Sequence, residues 1–154
     1  IVMNRIYQLV GQIIENAQYL EFNLLLMLKY DIILKAFDKS RAITIEKYHQ
    51  LVIDAENKSM ELKHKTMGEI IHNIREMNRL SEDEVNKLEK VLKTRNYLVH
   101  QYFKKHDFEH FYQDEEFLNK EINYLKDTLS TMSHLNLSVA SIITYQQEMI
   151  KSIK

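Results

Sequence analysis

From Ile6 the apolar residues Ile6, Val10, Ile13, Ala17, Leu20, Leu24 and Met27 recur at alternating steps of four and three, the spacing of one face of an α-helix. The spacing predicts a first helix from about residue 3 to residue 36. Flanking Ile14, Phe22, Leu25, Leu26, Leu28, Ile32 and Ile33 widen its stripe beyond a two-helix seam, so the second half is expected to meet several neighbours and offers surface for a subunit interface. Nothing later interrupts this habit strongly. The chain has no Pro and only two Gly, Gly11 and Gly68, and so few helix breakers point to an all-α chain.

A loop is expected at residues 38–42, followed by a helix from Thr44 or Ile45 to about Leu62 with Tyr48, Leu51, Val52, Ala55 and Met60 inward. Thr66-Met67-Gly68-Glu69 reads as a capping box opening a short helix, with Met67, Ile70, Ile71, Ile74 and Met77 inward and an end near Asn78. Ser81-Glu82-Asp83-Glu84 is a second box, whose acids also complement the positive end of the helix dipole. The helix it opens carries Val85, Leu88, Leu92, Arg95, Val99 and Tyr102 on one stripe. Lys104 to Phe111 reads as a connection. A last long helix starts near Asp114, with Leu118, Ile122, Leu125, Leu129, Met132, Leu135, Val139, Ile142, Met149 and Ile153 inward.

These elements predict a four- to five-helix antiparallel bundle with long first and last helices, forming a single domain over residues 1–154. A chain of this length can bury about two-thirds of its unfolded surface, enough for one core without disulfides or structural metals. The 21 basic and 22 acidic residues balance, so any contact with nucleic acid has to be local. Zero Cys removes disulfides, thiol nucleophiles and Cys-ligated zinc, and fits a reducing compartment. The longest uninterrupted apolar run is Leu24 to Leu28, well short of the roughly 20 residues that span a bilayer, and no signal-peptide core is readable. The expectation is a soluble, cytoplasmic protein with no membrane partner.

Arg95 is the residue that asks for an explanation, because it stands where the aliphatic stripe continues. Around it, Arg95-Asn96-Tyr97-Leu98-Val99-His100-Gln101-Tyr102 gathers a guanidinium, an amide, an imidazole and a phenol. On one continuous helix Asn96 and His100 share a face, while Arg95 and Tyr102 share the adjoining one. Arg offers a permanent planar cation suited to phosphate, and His changes charge near neutral pH. These parts suit cleavage of an RNA phosphodiester by its own 2′-hydroxyl, with His100 as base or acid, Arg95 stabilising the phosphate and Asn96 orienting. One imidazole serves two proton transfers poorly, and a homodimer pairing two motifs supplies the second. The structural alternative pairs Arg95 with an acid from a neighbouring helix, such as Glu15, Glu21 or Glu61.

The stretch Arg95 to His100 resembles the arginine-x4-6-histidine signature of the HEPN superfamily, including the polar residue after the Arg and the Leu-Val before the His. The resemblance implies a small helical bundle that dimerises, a metal-independent endoribonuclease of the kind found in toxin–antitoxin and phage-defence systems, and Arg95, Asn96 and His100 as its catalytic residues. Extended to Tyr102, the motif is similar to the arginine-x4-histidine-x-tyrosine form of HEPN toxins paired with a minimal nucleotidyltransferase antitoxin, which implies Tyr102 as a site of modification. Some members are non-catalytic interaction modules, and that reading stands as the alternative.

Lys104 and Lys105, with His106, form a basic lip beside the motif able to hold an RNA backbone, and Tyr97, Phe103 and Phe108 are stacking candidates. His106 and His110 have the spacing of two metal ligands, but no third ligand is indicated, so no metal is expected. No Gly-rich phosphate loop or Ser-His-Asp arrangement is readable, and no cofactor is expected.

Overall fold

A computed structural model of the chain describes residues 2–39, 44–63, 65–106 and 113–153, and 91% of these described residues are helical. Among the described residues there are six helices and no strand: α1 (Val2–Lys39), α2 (Ile45–Leu62), α3 (Met67–Met77), α4 (Glu82–His100), a single turn α5 (Tyr102–Lys105) and α6 (Glu115–Ile153). The all-α expectation holds. The single-turn α5 is one helix beyond the four or five expected, and it occupies the start of the stretch read as a connection. Residues 38 and 39 of the expected 38–42 loop belong instead to α1, and residues 40–42, Phe108 and His110 lie outside the described residues, as do the side chains of Met67 and Ile153.

The helix starts follow from local hydrogen bonding. Thr44 Oγ1 accepts the Lys47 N–H at 3.2 Å, and Thr66 accepts the Glu69 N–H while the Glu69 carboxylate accepts the Thr66 N–H. Ser81 and Glu84 form the same reciprocal pair, both bonds at 3.1 Å, and Asp114 Oδ1 accepts the Phe117 N–H at 3.0 Å. The Thr66 and Ser81 backbone donors hold the Glu69 and Glu84 carboxyls below the usual carboxylate range. α3 ends at Asn78, whose φ of 57° is left-handed, a conformation Asn tolerates because its short amide bonds locally.

The chain divides into two compact units. One comprises Ile1–Leu20 and Asn86–Asn136, the other Glu21–Val85 and Leu137–Lys154. In the first, Ile6, Leu9, Ile13 and Ala17 of α1, Leu88, Val91, Leu92 and Leu98 of α4, Tyr102 of α5, and Leu118, Leu125 and Met132 of α6 are buried. Asn136 Nδ2 donates to the Asn16 carbonyl at 3.3 Å.

In the second unit Ile33 and Leu34 of α1, Ala55 of α2 and Ile150 of α6 form a buried cluster, with Leu51, Val52 and Phe37 packed on it. Asp31 is also buried here, 4% exposed, and is neutralised from two sides. Arg79 Nε donates to one carboxylate oxygen at 3.1 Å and Lys35 Nζ reaches the other at 2.8 Å. The left-handed Asn78 turns the chain just before Arg79, which is how a residue beyond the end of α3 reaches a carboxylate on α1.

Three inward assignments are corrected. Met60 is 59% exposed because the buried face of α2 centres on Ala55, leaving its last turn in solvent. Val99 is 48% exposed, because the buried stripe of α4 drifts from Leu88 and Leu92 towards Val91 and Leu98. In α6 the alternating steps continue from Val139 through Ile143, Gln146 and Ile150, which leaves Met149 exposed. Gln146 is accepted into the core because its Nε2 donates to the Met27 carbonyl at 3.0 Å.

Arg79→Ala leaves the buried Asp31 carboxylate with Lys35 alone, and is expected to lower the unfolding free energy by about 2–3 kcal/mol in urea titrations. Met60→Gln in the same assay is expected to change it by no more than about 0.5 kcal/mol.

Candidate functional site

α4 delivers the motif and then stops. His100 is its last residue, Gln101 leaves helical geometry at φ −132° and ψ −23°, and α5 restarts at Tyr102. Arg95 and Tyr102 therefore do not share a face of one continuous helix, which corrects the geometry expected for the two. Positions five apart point about 140° away from each other on a helix. Arg95 accordingly turns to the covered side, half-buried with its Nε enclosed by protein, while Asn96 and His100 stand exposed. The structure thus brings Asn96 and His100 to one surface.

Tyr102 is the anchor beside them. It is 1% exposed, and its hydroxyl donates to Glu121 Oε2 of α6 at 2.7 Å. The rings of Tyr97, Phe103 and His106 meet its ring edge-on, with centroids at 5.8, 5.2 and 5.1 Å. Tyr97 Oη and His106 Nε2 are 3.0 Å apart, and His106 packs against Phe117 at 5.8 Å. Burial and the Glu121 carboxylate push the Tyr102 phenol far above the ordinary range for tyrosine. Burial, with smaller effects from Tyr124 and Glu121, raises Tyr97 as well.

The two expected lip residues separate. Lys104 is exposed at the end of the single turn, whereas Lys105 Nζ lies over the Tyr97 ring, 5.7 Å from its centroid. Phe103 remains at the surface, 41% exposed, its ring centroid 5.3 Å from that of Tyr7. Tyr97, by contrast, is held by His106, Tyr102 and Lys105. Sequence reading missed Glu121, Phe117 and Tyr7, because each contributes through a contact made across helices. His106 was read as part of a basic lip and is instead a hydrogen-bonding partner of Tyr97. Among the described residues no group of three His, Cys, Asp or Glu is placed to hold a metal ion, and no helix is long and apolar enough to cross a membrane.

Protein-family models, curated proteins and solved structures give no match to this chain.

Tyr102→Phe removes a buried bond to a carboxylate and is expected to cost about 1–2 kcal/mol in thermal or urea unfolding. Because the folded state holds the Tyr102 phenol above its unfolded value of about 10, the stabilisation is complete below that pH and is lost as pH rises beyond it. Wild-type protein is therefore expected to lose stability more steeply than Tyr102→Phe above pH of about 10, which parallel melting curves would reveal.

Proposed function

We propose that this chain is a HEPN-type endoribonuclease acting as a homodimer, with Arg95, Asn96 and His100 as its catalytic residues. The observation that carries the reading is the division of labour at the end of α4. A half-buried Arg95 precedes an exposed amide and an exposed imidazole, which share one face of the same helix. The enclosure of Nε restricts the rotamers of Arg95, and a planar guanidinium is the side chain suited to a phosphate. An exposed imidazole is free to reach a substrate proton.

In the proposed reaction one His100 takes the proton of an RNA 2′-hydroxyl, and the resulting oxygen attacks the adjacent phosphorus. Negative charge builds on the non-bridging oxygens, where Arg95 stabilises it. His100 of the second protomer gives a proton to the departing 5′-oxygen, leaving a 2′,3′-cyclic phosphate and a 5′-hydroxyl. Asn96, on the face of His100, orients the imidazole or the phosphate. The side chains named supply every proton and charge in this scheme.

A role as the toxin of a toxin–antitoxin pair, or in phage defence, follows from the same motif, with a nucleotidyltransferase as the proposed antitoxin partner. Modification of Tyr102 would first have to release its hydroxyl from Glu121 and expose it. A second reading, a non-catalytic interaction module, is favoured by Val99, an apolar side chain 48% exposed on α4 beside Asn96 and His100.

His100→Ala is expected to reduce cleavage of labelled RNA by about 10²-fold or more, with circular dichroism and sedimentation unchanged. Arg95→Lys keeps the charge and loses the fork, and is expected to fall between wild type and His100→Ala. Full cleavage by His100→Ala would sink the ribonuclease reading.

A further inference from the structure

The chain concentrates its positive charge around the motif. From Lys90 to His106 there is no acid, while Lys90, Lys93, Arg95, Lys104 and Lys105 supply five cations in a chain of formal net charge −1. The acids of α4 lie before this stretch, at Glu82, Asp83, Glu84 and Glu89. Asn86, Lys93 and His100 are spaced by sevens, so they fall within about 20° of one another per step along one face, with Lys93 about 10 Å and Asn86 about 21 Å from His100 along the axis. A surface depression of about 400 Å³ opens on that face, lined by Asn86, Glu89, Lys90, Lys93 and Thr94. Lys90 and Lys93 are both exposed there. Glu89 pairs with Lys93 at 3.2 Å, a solvent-exposed contact weak enough for a phosphate to replace.

Beyond His100, the Phe103 and Tyr7 rings form an exposed pair tilted by 35°. Lysines alone suit any polyanion, but exposed rings just beyond the end of the same helix add a face on which an unpaired base can stack. A duplex keeps its bases inside and has no use for such a face. A track of cations ending at an aromatic platform, with a reactive imidazole between, matches a single strand.

We propose that the exposed face of α4 from Asn86 to His100, continued by Phe103 and Tyr7, is the track on which a single-stranded RNA lies, Lys90 and Lys93 holding phosphates and the ring pair holding a base. The identity of the strand rests on the ribonuclease reading of Arg95 and His100. The track places the bound strand mainly along α4 on the amino-terminal side of His100, so recognition extends well beyond the cleaved bond.

The test is fluorescence anisotropy with a labelled 2′-O-methyl oligouridine, which has no free 2′-hydroxyl and cannot be cleaved, titrated with the full chain at several salt concentrations. Wild-type protein is expected to bind, with affinity falling as salt rises. The double variant Lys90→Glu/Lys93→Glu is expected to bind at least about tenfold more weakly and to flatten the log–log salt slope by about 1.4, or about 0.7 for each phosphate no longer neutralised. Phe103→Ala is expected to weaken binding by about tenfold without changing the slope. Wild-type affinity in the double variant overturns the track. So does displacement of the probe by duplex RNA, polyglutamate or phosphatidylserine vesicles as effectively as by the single strand. His100→Ala separates the two readings. If it binds and still cleaves, the ribonuclease assignment fails and the track stands; if it loses cleavage while the lysine variant binds normally, the track fails alone.

Discussion

The bond from the buried Tyr102 hydroxyl to Glu121 sets what can happen around the end of α4. A phenol in a core is tolerable only if its hydroxyl finds a partner, and Glu121 on α6 provides one at 2.7 Å. Holding Tyr102 inward fixes the first residue of α5, and the backbone of Gln101 absorbs the change of direction. His100 is thereby left as the final residue of α4, at the surface, while Phe103 is turned outward beside it. One buried hydrogen bond and one departure from helical geometry thus leave His100 and Phe103 exposed on either side of a buried Tyr102.

The aromatic surroundings reinforce this arrangement. Tyr97 reaches His106, whose ring leans on Tyr102 and Phe117, so the turn after α4 is tied back to α4 and forward to α6. Such preorganisation matters for the proposed chemistry, since a general acid or base contributes only when its geometry is held. The same network holds the Tyr97 ring between His106, Tyr102 and Lys105, while Lys90, Lys93 and Phe103 are exposed.

The second unit shows the same principle in an ionic form. A carboxylate on the buried side of α1 would be costly alone, and Arg79 with Lys35 offsets its desolvation. Gln146 follows a gentler version, with a main-chain carbonyl as partner. Both residues sit where helical periodicity asks for an apolar side chain. Both polar residues are buried with a partner: Asp31 with Lys35 of its own helix and Arg79 of the turn after α3, and Gln146 with a carbonyl of α1.

The sequence by itself determined the helices. Scarce breakers, steps of four and three, and two capping boxes are properties of neighbouring residues, so the bounds of α2 and α3 and the start of α4 were legible from nearby positions alone. It also placed Asn96 and His100 on one face, since they lie four apart on one helix. Only the tertiary structure decided which faces are covered. Val99 and Met149 point to solvent, while Asp31, Gln146 and Tyr102 are enclosed. The physical reason is that helical periodicity fixes which residues share a face but not what lies opposite it. That depends on Arg79, Met27 and Glu121, partners brought within hydrogen-bonding distance by packing between helices remote in sequence.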